Sequence, residues 1–159
     1  MRVGMGYDAH RLVDGEGLIL GGVTVPCSQK ILAHSDGDVL VHAIADSLLG
    51  AAGLGDIGRH FPDTDERYKD ISSLVLLAEV KEKLDRAGLR VQNVDSTIVV
   101  QQPKLLAFLD KMAANIGEVL QIDPSFVNVK ATTTEKMGFT GNGEGIAAYA
   151  VCLLTGVWH

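Results

Sequence analysis

Apolar and polar residues alternate from Arg2 to His10, which predicts a strand with Asp8 and His10 on the same face as each other. Gly17–Leu20 and Val23–Pro26, joined across Gly21-Gly22, read as a hairpin turning at a glycine pair. The period then lengthens. Asp38 to about Gly53 reads as a helix, with Val39, Ile44 and Leu48 apolar and Ser35 or Asp36 available as its N-cap. A loop rich in Gly and Asp follows over Gly53–Asp65. Ser72 or Ser73 caps a second helix running to Arg86, with Gly88 placed for a left-handed C-terminal residue.

Val91–Gln101 reads as a strand. A third helix is predicted from Pro103 to about Leu120, with Leu106, Leu109, Ala113, Ile116 and Leu120 on one stripe. Phe126–Ala131 is a further strand, followed by Thr132-Thr133-Thr134-Glu135 and a glycine loop from Gly138 to Gly145. The last strand, Ile146–Leu154, shows little alternation, so burial of both faces is expected. The sum is an α+β fold: a mixed sheet with helices on one face, whose other face is most simply covered by other subunits.

Composition sharpens this picture in three ways. A chain of 159 residues is long enough for one domain with a proper core. Its 47% hydrophobic content is high for that length and points to apolar surface buried in an oligomer, or else to a dense core. A net charge of −6 argues against a general nucleic-acid or membrane-surface binder, so anionic ligands must be neutralised locally. The longest apolar run, Ile146–Leu154, is about half of what a spanning helix needs, and no leader pattern opens the chain. Cys27 and Cys152 form no paired motif and read as small buried hydrophobes in a reducing compartment. A cytoplasmic protein is expected.

The chemistry concentrates near the N-terminus. Asp8, His10 and His42 offer one carboxylate and two imidazoles, three ligands that would leave a divalent metal an open position. Asp38 and Asp46, four residues either side of His42, are placed to accept from its second ring nitrogen. His34-Ser35-Asp36-Gly37-Asp38 leads into a helix N-terminus, where a cap and an anion site are compatible readings. Thr132 to Glu135 offers hydroxyls and amides to phosphate and a carboxylate to a hard cation. Gly4-x-Gly6-x-x-Ala9 fits a dinucleotide fingerprint only superficially, because no helix begins inside it. His60 and His159 stay unassigned, and the terminal His159 is expected to be mobile.

Several segments, in order and spacing, resemble the 2-C-methyl-D-erythritol 2,4-cyclodiphosphate synthase family. They are Asp8-x-His10, Leu32 to Asp38 with His42, Gly55-Asp56-Ile57-Gly58, Phe61-Pro62-Asp63-Thr64-Asp65, and Val127 to Lys136 running into Gly138-Phe139-Thr140-Gly141. The resemblance implies a homotrimer with active sites between adjacent subunits and sheets meeting around the trimer axis. It implies closure of 4-diphosphocytidyl-2-C-methyl-D-erythritol 2-phosphate to the cyclic diphosphate with loss of CMP. By similarity, Asp8, His10 and His42 hold Zn²⁺, and Glu135 helps hold a second cation, Mg²⁺ or Mn²⁺.

The resemblance also distributes the substrate contacts. His34 and Thr133 take the catalytic, charge-stabilising positions. His34 and Ser35 meet the methylerythritol phosphate, and Phe61, Asp63 and Asp65 belong to the loop around its hydroxyls. Asp56, Ile57 and Gly58 match the ribose positions. From the neighbouring subunit, Val100, Lys104, Leu105, Leu106, Ala131 and Thr132 frame the cytosine, Thr133 binds phosphate, and Phe139 completes the set. Asn142 stands where several members carry an arginine facing an axial cavity, and cannot supply its cationic fork. The residue chemistry alone also admits a zinc-dependent phosphohydrolase, with Asp36 or Asp38 as base, or a non-catalytic nucleotide-binding oligomer.

Overall fold

The computed structural model describes residues 1–156, so His159 lies outside the described residues. The chain forms a five-stranded sheet, a separate hairpin, and a layer of helices. The strands are β1 (Arg2–Asp14), β4 (Gln29–Leu32), β5 (Leu89–Val99), β6 (Val127–Thr132) and β7 (Gly145–Gly156), and β2 (Leu18–Leu20) pairs only with β3 (Val23–Val25). The sheet order is β4-β1-β7-β5-β6. All pairings are antiparallel except β5 with β6, which is parallel. That pair is joined through α4 (Leu109–Leu120), because parallel neighbours need a crossover.

Two glycines set the spacing between sheet and helix. The helix α1 (Val39–Ala52) lies over β1 and β7. A Cβ on Gly4 would sit 1.9 Å from Ser47 O, and one on Gly6 would sit 1.9 Å from Ala43 O. Only a residue without a side chain lets the two backbones approach so closely. On its other side α1 packs against α3 (Ser73–Arg86), which also touches α4. Sandwiched between two layers, α1 buries Leu40, Ile44, Leu48 and Leu49 completely, as expected of a helix apolar nearly all round.

The expected elements are present, with instructive differences. The N-cap of α1 is Asp38, whose side chain accepts from Val41 N; neither Ser35 nor Asp36 caps it. Asp38 wins because the same carboxylate also accepts from the hairpin amides of Gly21 (3.0 Å) and Gly22 (2.9 Å), tying the β2–β3 turn to the helix start. Burial pushes its carboxyl up to about 6, against the pull of the Gly22, Val41 and Gly21 donors. Gly53 ends α1 in the left-handed conformation, φ 74°.

The third predicted helix begins later than Pro103. Leu106–Phe108 is a 3₁₀ turn, and α4 proper starts at Leu109. The tighter winding rotates Leu106 off the apolar stripe, and it is exposed. In β5 a bulge between Val91 and Asn93 switches the inward parity, so Leu89 and Val91 are buried on one side of it and Val94, Ser96 and Ile98 on the other. The glycine loop contains a short helix, α5 (Gly138–Gly141), and another, α2 (Ile57–His60), interrupts the loop after α1. β1 runs unbroken through Gly4, Gly6 and Ala9, so no helix starts in that motif.

The last strand departs from expectation. Ile146, Ala147 and Ala148 are buried, but beyond them Tyr149 and Val151 are exposed while Ala150, Cys152 and Leu154 are buried. Tyr149 pairs with Tyr7, and Val151 with Met5, across the sheet. With Val3 they form an apolar stripe, each member between 44% and 69% exposed, on the face opposite the helices. A single chain therefore covers one face of its sheet and leaves the other apolar and open. Cys152 is buried as expected, whereas Cys27 is only half-buried, its thiol 3.3 Å from Gln29 O. Among the described residues, no helix is long and apolar enough to cross a membrane.

Gly6→Ala is expected to force α1 away from β1 and to lower stability by about 2 kcal/mol or more, the scale of overpacking a close-packed core. Urea unfolding with a fitted midpoint and slope tests this, and an unchanged midpoint would refute the close-approach argument.

Candidate metal centre and active-site cavities

β1 and α1 bring Asp8, His10 and His42 together. Asp8 and His10 project from the helix-facing side of β1, just beyond the two glycines, and His42 projects down from the first turn of α1. Asp8 Oδ2 is 3.0 Å from His10 Nε2 and 3.1 Å from His42 Nδ1. One ligand atom from each residue lies within 4.8 Å of the others. The two imidazoles meet edge-on, with ring centroids 5.7 Å apart.

Two observations fit this cluster to a divalent cation. The donors are two imidazoles and a carboxylate, the set that binds zinc and related ions. In addition, His10 Nε2 is buried and makes no hydrogen bond of acceptable geometry, despite its proximity to Asp8. A buried nitrogen rarely goes unsatisfied without a further partner. Burial would raise the Asp8 carboxyl, but the His10 and His42 imidazoles beside it outweigh burial and hold the group down to about 2. Burial likewise disfavours a charged His42, yet Asp8 raises its pKa above the ordinary imidazole value. The cluster thus attracts positive charge, as protons or as metal.

The neighbours expected around His42 are otherwise engaged. Asp38 is spent on the three amides of the hairpin and helix start, and Asp46 accepts from Ile57 N at 2.7 Å. His42 Nε2 instead meets Ser73 Oγ at 2.8 Å and, at longer range, Ser35 Oγ at 3.3 Å. Asp36 accepts from the Ser73 amide and hydroxyl and from the Asp38 amide. Neither Asp36 nor Asp38 is therefore free to serve as the base a hydrolase reading requires.

The triad opens into a cavity of about 370 Å³ whose wall includes Ala33, His34, Ser35, Ile57, Gly58, and the Phe61–Thr64 segment. The structure therefore gathers most of the sequence-predicted erythritol-side residues, including Phe61 and Asp63, around the triad. Asp56 and Asp65 are not among the residues lining this cavity and make local contacts instead. Asp56 caps α2 by accepting from Arg59 N, and Asp65 pairs with the Arg67 guanidinium at 2.7 Å while its carbonyl lies 3.3 Å from His34 Nε2. Tyr68 and Leu76 complete the wall. With Ser73 behind His42, they come from the segment after the loop, and nothing in their local pattern distinguishes them from ordinary helix and core positions.

A second cavity, about 320 Å³, holds the other predicted group: Val100, Lys104, Leu105, Leu106, Ala131, Thr132 and Thr133. Strand pairing aligns Ala9 with Ala147, Ala147 with Val99 and Val99 with Thr132. The two cavities thus occupy the same end of the sheet, on strands three spacings apart, about 14 Å. Glu135 and Phe139 line neither. Glu135 and Lys136 both take the left-handed conformation, at φ 52° and 65°. Thr133 Oγ1 accepts from Glu135 N, and Gln101 accepts from Lys136 N. Phe139 packs against Gly145, where a Cβ would lie 2.7 Å from its ring. Asn142 donates to the Glu144 carboxylate at 3.0 Å. His60 Nε2 lies 2.8 Å from Leu54 O.

Comparison with known proteins decides the relationship. The model of the YgbB family matches residues 1–155. The chain belongs to that family. A relative from Pelotomaculum thermopropionicum, a 2-C-methyl-D-erythritol 2,4-cyclodiphosphate synthase, is 61% identical over 97% of this chain and 95% of its own. Among solved structures, the bifunctional IspDF of Campylobacter jejuni superposes with a TM-score of 0.94 at 42% identity. The match covers 98% of this chain and 42% of that longer one. A CDP complex of IspF from Plasmodium falciparum gives 0.85 at 36% identity, covering 98% of this chain and 96% of that one.

Because a ligating imidazole must be neutral, metal affinity should climb as pH rises through the titration of His42 and then level off. The raised His42 value places part of that climb above the ordinary imidazole range. Chelator competition at a series of pH values measures it; an affinity independent of pH would exclude imidazole ligation.

Proposed function

We propose that this chain converts 4-diphosphocytidyl-2-C-methyl-D-erythritol 2-phosphate to 2-C-methyl-D-erythritol 2,4-cyclodiphosphate and CMP. The observation that carries the reading is the Asp8–His10–His42 cluster set in the wall of a cavity that the 34–35 and 57–64 segments complete. The 61% identity to a protein of that activity places the same reaction in view. An oxygen of the 2-phosphate forms a bond to the β-phosphorus. The bond from that phosphorus to the bridging oxygen breaks, and CMP leaves with the electron pair. No water is consumed and no covalent enzyme intermediate is required.

Asp8, His10 and His42 would hold a divalent cation, which we infer to be Zn²⁺, and bound there it would supply Lewis-acid charge neutralisation. The chain's own residues supply position. His34 and Ser35 border the cavity beside the triad and are suited to the methylerythritol phosphate. Phe61, Asp63 and Asp65 belong to the loop that closes its far side. Asp56 and the Ile57-Gly58 backbone lie at the rim, where a ribose would sit. The base is assigned to the second cavity, whose Val100–Leu106 backbone and Ala131–Thr132 form a slot flanked by Lys104. Thr133 and Glu135 share one turn, which suits a phosphate oxygen and a second cation, Mg²⁺ or Mn²⁺.

One chain carries both cavities on strands three spacings apart, and we infer that a complete site combines the metal cavity of one copy with the base slot of a neighbouring copy. The apolar stripe of Val3, Met5, Tyr7, Tyr149 and Val151 supplies the surface for it. We assign the assembly as a cytoplasmic homotrimer in which residues 1–159 form a single domain, with Phe139 among the substrate contacts and Asn142 near the axis. The face is apolar enough to need covering.

Phosphorus NMR of the purified protein with substrate, Zn²⁺ and Mg²⁺ should show a cyclic diphosphate and CMP in equal amounts. A linear phosphate product would move the assignment to a hydrolase, and binding without turnover to a nucleotide-binding oligomer. His42→Ala should abolish turnover together with metal content measured by atomic emission. Glu135→Ala should retain the zinc yet shift the Mg²⁺ titration to higher concentration; an unmoved titration would reject Glu135 as a second-cation ligand.

A further inference from the structure

We propose that Ser73 and Asp36 act as a positioning pair for His42, fixing which ring nitrogen the imidazole turns toward the metal site. The proposal rests on the metal reading of Asp8, His10 and His42. Ser73 is fully buried at the first residue of α3. Its hydroxyl does not cap that helix. It touches two groups instead: an Asp36 carboxylate oxygen in a very short contact, and His42 Nε2 at 2.8 Å.

Proton counting gives this arrangement a direction. A serine hydroxyl has one proton to donate. Both Asp36 oxygens already accept amide protons, Oδ1 from Asp38 N at 3.0 Å and Oδ2 from Ser73 N at 2.9 Å. Asp36 is therefore the acceptor, and the Ser73 proton points at it. Only the oxygen lone pairs of Ser73 remain for His42, so Nε2 must carry the ring proton. In a neutral imidazole the lone pair then resides on Nδ1.

Nδ1 is the atom that faces Asp8 Oδ2 at 3.1 Å. A nitrogen lone pair against a carboxylate is unfavourable unless a cation lies between them. The pair on α3 thus holds His42 in the form that a cation completes, and links the N-terminus of α3 to the ligand on α1. Ser35 Oγ lies 3.3 Å from the same Nε2 and accepts from Gly37 N. It is the more distant acceptor and borders the substrate cavity, so its hydroxyl is available to substrate while Ser73 keeps hold of the ring.

The test combines zinc affinity with a direct view of the ring nitrogens. In zinc-loaded protein labelled with ¹⁵N-histidine, long-range ¹H–¹⁵N NMR should show His42 with a protonated Nε2 and a metal-bound Nδ1. Ser73→Ala should weaken zinc binding by about 10- to 100-fold, and Ser73→Thr, which keeps the hydroxyl, should recover most of the loss. Asp36→Asn should weaken binding by a similar factor, because its amide can donate to Ser73 and reverse the direction of the chain. Wild-type protein that binds no zinc would sink the metal reading and this proposal with it. Wild-type protein that binds zinc while Ser73→Ala binds it within about two-fold, or that carries the His42 proton on Nδ1, would sink the positioning pair alone. The wild-type spectrum decides the matter even if a variant fails to fold.

Discussion

The close approach of α1 to β1 is the constraint from which the rest of the architecture follows. It depends on two missing side chains, at Gly4 and Gly6, whose Cβ positions are taken by the carbonyls of Ser47 and Ala43. At ordinary helix-on-sheet spacing His42 would stand off from Asp8 and His10, and the three ligands would not converge. Asp38 then locks the helix at its first turn. By accepting from Val41 N and from the amides of Gly21 and Gly22, it ties the rotational setting of α1 to a hairpin outside the main sheet. Removing that carboxylate would leave three amide donors without their partner, two of them buried, which makes it a structural acid rather than a chemical one.

The same layering explains why the site faces two ways. Helices cover one side of the sheet, so the metal ligands on β1 lie between layers and reach solvent only where the 34–35 and 57–64 segments leave an opening. The parallel β5–β6 pair carries its own cavity at its C-terminal ends, beside the turn at Thr133 and Glu135. β7 and β5 lie between these two regions of one chain. On the opposite face the apolar stripe of Val3, Met5, Tyr7, Tyr149 and Val151 is left uncovered by the chain's own helices.

What the sequence makes legible here is what depends on strand parity and local motifs. Asp8 and His10 share a face because they are two apart on a strand, and His42 follows a capped helix start at a fixed offset. The Gly21-Gly22 turn and the Gly53 and Gly88 terminations are local in the same sense. Features that depend on tertiary packing are not legible. The partner of His42 is Ser73, 31 residues away, whose sequence context suggests only a helix start. Asp38 and Asp46 have the right spacing along α1 but are drawn off by Gly21, Gly22 and Ile57. The short edge strand β4 is hidden because Gln29 and Lys30 are polar, as suits an exposed edge. The parity switch at the β5 bulge and the 3₁₀ turn that displaces Leu106 likewise have no signature in hydrophobic period. The resemblance of ordered motifs supplied the grouping of distant residues into two binding regions, which periodicity alone does not.

The distribution of carboxylates bears on what kind of catalyst this is. Among the described residues the cavity wall offers two, Asp8 and Asp63, and Asp63 is exposed. Asp8 is held by two imidazoles, and its neighbours in sequence space are committed elsewhere: Asp36 to Ser73, Asp38 to three amides, Asp46 to Ile57, Asp56 to Arg59 and Asp65 to Arg67. A site that activates water beside a metal needs a base free to take a proton. A site whose nucleophile is a phosphate oxygen of the substrate does not, because that oxygen is already anionic and the demands are alignment and charge neutralisation. In a chain of net charge −6 the neutralisation must be local. A cluster that draws positive charge to Asp8 and turns an imidazole lone pair toward it meets that need without a general base, and the commitment of the surrounding acids to backbone and hydroxyl donors is what keeps the cluster in place.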